Sequence, residues 1–88
     1  MTANEWEKKL KSEGFGNFFI GNDGPGAYYP EHTHDETTAH VILSGEMTLT
    51  VQSETRTYKA GERCDVPARA VHSARMGPQG CRYIVGEK

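Results

Sequence analysis

His32 and His34 stand one residue apart, and His40 and His72 complete the chain's set of four histidines. A neutral imidazole is the commonest protein ligand for a transition metal. A divalent ion asks for three or four such donors at about 2.0–2.2 Å. The His-Thr-His spacing sends two side chains off one face of a strand, so His32 and His34 can supply two. His40 follows across the polar turn Asp35-Glu36-Thr37, and His72 lies forty residues past His32, beyond Pro67. These residues would form one metal centre if the fold brings His72 opposite the pair. The bland alternative is a set of hydrogen-bonded histidines lining a cavity. Glu36, on a turn, is a weaker ligand candidate, because turn carboxylates are usually solvated.

The elements that must position these groups are short. Thr2 to Glu13 reads as the one helix, with Thr2 or Asn4 as cap, Glu5 and Glu7 in its first turn and lysines toward its end. Trp6 and Leu10, four apart, give it a narrow apolar stripe, and Gly14 is a natural stop. Everything later reads as strands and turns. Phe15 to Ile20 is one strand, and the cluster from Gly21 to Gly26 is a loop. Ala27 to His34 is extended, with Pro30 tolerated at an edge or bulge. Thr38 to Leu43 forms the next strand and Ser44-Gly45 a break. Met47, Leu49 and Val51 then alternate on one face. Thr55–Lys59, Cys64–Val66, Val71–Arg75 and Cys81–Val85 bring the expected number to about eight strands at roughly ten-residue spacing, which predicts an all-β barrel or sandwich.

Composition narrows the partners. An 88-residue chain is one domain, divided here into a helical segment 1–14 and a β-domain 15–88. A net charge of −2, with no basic run longer than Lys8-Lys9, argues against nucleic acid or an anionic membrane. No apolar stretch is long enough to span a bilayer. The charged first fifteen residues do not resemble a secretion leader, and two cysteines, Cys64 and Cys81, fit a reducing cytoplasm as small apolar side chains. The expected partner is a small molecule.

With the histidines placed on strands, the chain resembles the cupin superfamily, in its small single-domain, cupin-2-like form. Two motifs carry the likeness. The first runs Gly26, five residues, His32-Thr33-His34, three residues, Thr38, six residues, Gly45. The second runs Gly61, five residues, Pro67-Ala68-Arg69, two residues, His72, three residues, Met76. Three positions depart from the family pattern. Thr38 stands where a glutamate ligand is usual, Arg69 where a glycine closes the Pro-x-Gly turn, and Met76 where an asparagine follows. The resemblance implies a double-stranded β-helix, or jelly roll, with one divalent transition metal at its mouth held by His32, His34 and His72.

His40 lies two residues beyond Thr38 on the same strand face, about 6.6 Å along. It is therefore a candidate fourth ligand or, failing that, a proton-transfer group. Tyr28 is a second catalytic candidate. Tyr28, Tyr29, Met47, Arg75 and Tyr83 are candidate pocket residues. Neutral imidazoles leave the ion's full charge in place, which makes it a stronger Lewis acid than a site containing glutamate. Imidazole suits Fe, Ni, Cu, Zn and, less strongly, Mn, so the sequence does not choose among them. Metal is expected to be lost as pH falls below about 6, because ligating histidines must be unprotonated. The resulting expectation is a metal-dependent oxygenase, isomerase or lyase acting on a small, anionic, oxygen-rich metabolite. The rival is a binding or sensing module using the same pocket without turnover. Val41 and Leu43 should face away from the cavity, and either the helix or a second subunit must cover them, so a homodimer is expected.

Overall fold

The computed structural model describes residues 1–88, and in it one helix precedes six antiparallel strands. These are α1 (Ala3–Ser12), β1 (Gly16–Asp23), β2 (Tyr28–His32), β3 (Thr38–Val51), β4 (Glu54–Lys59), β5 (Arg63–Val66) and β6 (His72–Glu87). The two long strands, β3 and β6, pair along their whole length and each serves two sheets. The later half of β3 and the start of β6 join β2 and β4 in one sheet. The early half of β3 and the end of β6 join β1 and β5 in the other. This is the jelly-roll barrel that the resemblance implied, within the all-β barrel or sandwich that the strand spacing predicted.

Two of the expected breaks are bends instead, which is why six strands replace eight. Around Ser44-Gly45 the pairing with β6 shifts register twice, between Ile42 and Ser44 and between Gly45 and Met47. Such bulges turn a strand sharply without ending it. Gly45 has φ +74 and Gly80, beside its partner Cys81, has φ +78. A Cβ on Gly45 would strike the Gly80 carbonyl, so the corner needs glycine for room as well as for its dihedral. The expected loop at Gly21 is likewise strand. Gly21 lies against the Tyr83 ring, where a side chain would clash, and β1 continues to Asp23.

Between the sheets lies a core of Ile42, Met47, Leu49, Ala74, Met76, Cys81 and Tyr83. Both cysteines are free thiols, Cys81 within this core and Cys64 against its edge. On the outer face of the second sheet, Ala39, Val41 and Ile84 pack with Trp6, Leu10 and Phe15. The cover that the sequence left open between helix and second subunit is supplied by α1. No helix is long and apolar enough to cross a membrane.

Local chemistry fixes both ends of α1. Thr2 Oγ1 accepts from the Glu5 amide at 3.1 Å, and the Glu5 carboxylate accepts from the Thr2 amide at 2.7 Å, a reciprocal capping box. At the other end Gly14, with φ +98, lets the Phe15 amide reach the Leu10 carbonyl and its own amide reach that of Lys11. Arg63 then clamps the helix end to β5, donating to both Glu13 oxygens at 3.1 and 2.8 Å and to Asp65 at 3.0 and 2.9 Å. The guanidinium's hydrogen bonds hold the Glu13 carboxyl down at about 2.

Candidate metal centre

β2 and β6 bring the first two imidazoles together. His32 and His72 are direct cross-strand partners, and their ring centroids lie 4.2 Å apart. Their pairing depends on a bulge. Tyr29 pairs with Ala74 and His32 with His72, so β2 uses one residue more than β6 between the two pairs. The residues in that interval are Pro30, which has no amide to donate, and Glu31. The extra residue puts Tyr29 and His32, three apart, on the same inner face.

His34 is not on the strand. β2 ends at His32, and the third ring comes from the bend that follows. The His34 carbonyl accepts from the Arg69 amide at 2.7 Å, which ties this bend to the turn before β6. Arg69 has φ +64, the left-handed conformation that the family's glycine would adopt freely. The backbone shape of the turn is thus retained without the glycine. The His34 ring lies 4.9 Å from that of His32 and 5.0 Å from that of His72.

These three side chains fit a metal ion. Their donor atoms all lie within 4.8 Å of one another. A closed tetrahedral shell brings donors to about 3.5 Å, so small ring rotations suffice. The tautomers are set as well. His32 Nδ1 lies 2.7 Å from the Pro30 carbonyl and His72 Nδ1 lies 2.9 Å from the Ala70 carbonyl. A carbonyl only accepts, so each Nδ1 carries the proton and each Nε2 keeps its lone pair. Backbone contacts of this kind orient metal-binding histidines. His72 Nε2 is buried without any partner in the protein, an acceptor that a metal ion would satisfy.

His40 stands apart from this group. Its ring centroid is 6.1 Å from that of His72, and it is not among the side chains whose donors converge. It shares the inner face of β3 with Thr38, as alternation requires. Thr38 Oγ1 and His40 Nδ1 are both buried and unpartnered. Burial first, and then the neighbouring His72 and His34 rings, push the His40 pKa down to about 4. His72 is also lowered, chiefly by burial.

The sign of the stability effect follows from these shifts. An unfolded chain protonates His40 near 6.5, whereas the fold resists protonation until about 4. The metal-free protein is therefore expected to lose stability as pH falls from about 6.5 to about 4, by on the order of 3 kcal/mol. Glu13 contributes lower down, from about 4.5 toward 2. Urea melts of chelator-treated protein at pH 7 and pH 4.5 would check this. The same loss in His40→Phe would rule out His40 as its source.

The three rings open into a cavity of about 390 Å³ whose walls include Phe19, Tyr29, Met47, Met76 and Tyr83. Tyr28 and Arg75, expected at the pocket, are not part of its lining. They pair across β2 and β6 with the guanidinium 4.5 Å from the ring centroid, and half the Tyr28 surface is exposed. The β2 alternation turns Tyr29 inward and Tyr28 outward, so Tyr28, the tyrosine named as a catalytic candidate, stands outside the cavity and Tyr29 lines it. Sequence reasoning missed Asp23 altogether. Its Oδ2 accepts from both Tyr29 at 2.8 Å and Tyr83 at 2.7 Å, and its place inside a Gly-Asn-Asp-Gly run resembled a plain turn.

A jelly-roll barrel with histidines gathered at one mouth is a recognisable class of fold. The Cupin_2 family, described as a cupin domain, matches residues 20–85, and the chain belongs to it. A search of curated proteins finds no match. Among solved structures, an RmlC-like cupin from Shewanella frigidimarina is similar at 23% identity and TM-score 0.74, covering 80% of this chain and 62% of its own. A variant of oxalate decarboxylase from Bacillus subtilis is similar at 18% identity and TM-score 0.76, covering 81% of this chain and 20% of its own. The DMSP lyase DddQ from Ruegeria pomeroyi is similar at 22% identity and TM-score 0.75, covering 81% and 36%. This chain therefore spans less than two thirds of each of these proteins, and at such identities the likeness concerns the fold.

Proposed function

We propose that this chain is a metal-dependent cupin enzyme in which His32, His34 and His72 hold one divalent transition metal, with a small, oxygen-rich, chelating anion as substrate. The observation that carries the reading is the convergence of three imidazoles, two with Nδ1 tied to backbone carbonyls, at the wall of a cavity. When bound, such an ion supplies Lewis acidity toward a carboxylate or enolate oxygen. No lysine or arginine lines the cavity, so the protein offers an anion no cationic side chain there.

The chain's own groups orient and desolvate the substrate. Met47, Ala74, Met76 and Val85 exclude water around the histidines. With a pKa near 4, His40 is neutral at pH 7 and a weak base, which suits it to hydrogen bonding beside the three ligands rather than to proton abstraction. Two of the similar folds belong to a decarboxylase and a lyase, which supports bond cleavage among the reaction types. Mn(II) centres are described for the Bacillus subtilis oxalate decarboxylase, which keeps manganese among the candidate ions. The position of His40, neutral at pH 7 and outside the converging group, supports a second reading, a non-catalytic binding module.

Element analysis of protein purified without chelator tests the metal. About one divalent ion per chain is expected, with near-complete loss in the His32→Ala/His34→Ala/His72→Ala variant. Unchanged content in that variant would overturn the site.

A further inference from the structure

The end of the cavity walled by aromatic rings is electrostatically one-sided. Phe19, Tyr29 and Tyr83 all line it, with the Phe19 and Tyr83 rings 6.3 Å apart and tilted by 57°. Behind the two phenols sits Asp23, whose Oδ2 accepts a hydrogen bond from each hydroxyl. Asp23 makes no ion pair. Glu87 is the one carboxylate in the lining, and the lining holds no lysine or arginine.

Three consequences follow. The phenol hydrogens are committed to Asp23, so toward the cavity both oxygens can only accept. Hydrogen bonding to a carboxylate pushes electron density back into each phenol, which makes the ring faces more attractive to a positive charge. Phe19, 60% exposed, adds a third face at the mouth.

We propose that Phe19, Tyr29 and Tyr83, backed by Asp23, form a subsite for an organic cation, and that the ligand is a small zwitterion with its carboxylate toward the histidines and its ammonium group among the rings. The carboxylate half rests on the metal reading above. The cation half stands without it.

Two titrations separate these halves. In the first, the full chain without metal is titrated with tetramethylammonium chloride and with tert-butanol, a neutral compound of similar shape. Aromatic ring proton shifts are followed by NMR. Saturable binding of tetramethylammonium alone is expected, weakened about fivefold or more in Asp23→Asn and in Phe19→Leu. Asp23→Asn keeps an oxygen for the phenols while removing the charge, and Phe19 is exposed, so both variants should fold, as their amide spectra would show. Equal response to the two probes, or no change in either variant, would overturn the subsite. In the second, metal-loaded protein is titrated with trimethylglycine and with 3,3-dimethylbutyrate, which differ only in the charged nitrogen. The zwitterion should bind about fivefold or more tightly. Equal affinity would overturn the cation proposal and leave the metal reading intact. Tetramethylammonium binding with no response to either carboxylate would sustain the subsite and count against the metal.

Discussion

Adding a divalent transition metal to chelator-stripped protein is expected to raise its melting temperature by roughly 10–20 °C. A ligand that binds only the folded state stabilises it by about 2.7 kcal/mol at a free concentration 100-fold above its Kd. In a domain of 60–100 residues each kcal/mol moves the midpoint by about 4–8 °C. The donor set makes binding specific to the fold, because His32 and His34 are brought to His72 only by the pairing of β2 with β6 and the bend that follows. Burial of His72 adds to the effect, since its partnerless Nε2 is a cost the metal would remove. Magnesium, which prefers oxygen donors and dehydrates reluctantly, should give little or no shift. In His72→Ala the metal-free midpoint will itself change, so the informative quantity is the difference with and without metal, which should vanish. His40→Ala should retain most of it, because the His40 ring lies outside the converging group. A metal-induced shift that survives His72→Ala would place the ion elsewhere.

How much of this was visible in the residues depends on how local each feature is. The His32–His34 pair was legible because a one-residue spacing is itself the signal. His72 was legible only through a motif spanning the second half of the chain, since no local pattern links it to residues forty positions earlier. The prediction that one strand carries both His32 and His34 failed because Pro30 introduces a bulge and β2 then stops. Parity counted back from His32 without that bulge puts Tyr28 on the inner face, whereas the extra residue puts Tyr29 there. Strand number was overcounted for a related reason. Gly45 and Gly80 look like breaks in isolation, yet facing each other across paired strands they form a corner. Asp23 left no trace at all, because its role depends on two phenols that the fold brings to it from other strands.

The partition of faces along β3 was legible and has the larger mechanical consequence. Thr38 and His40 point into the cavity while Ala39 and Val41 point outward, so one short stretch serves the site and the helix interface at once. Position 40 is therefore held by burial on both sides of the strand. The three histidines proposed to hold the metal are placed differently. They come from β2, the bend after it and the first residue of β6, in the sheet that α1 does not cover.

From that separation, Leu10→Ala is expected to reduce stability strongly while leaving metal content near the wild-type level. Leu10 has no exposed surface and packs among Phe15, Val41 and Ile84. Truncating such a residue to alanine costs about 2–5 kcal/mol, the larger values arising where the surroundings cannot collapse into the cavity. Here collapse is restrained, since α1 is held at its C-terminal end by the Arg63 fork and at its start by the Thr2–Glu5 box. Total stability for a domain of this size is of order 4–13 kcal/mol, so the loss is a large fraction of the whole. Trp6→Ala should act in the same direction. The two residues share neighbours, so the double variant should lose less than the sum of the single ones. Chemical denaturation of the single and double variants measures the cost, and element analysis of the folded variants measures the metal. A fall of less than about 1 kcal/mol in Leu10→Ala would show that the helix is not what stabilises the outer face of the barrel. A parallel loss of metal would show instead that β3 transmits the helix contact to the ligands through His40, which would make the helix part of the site's support.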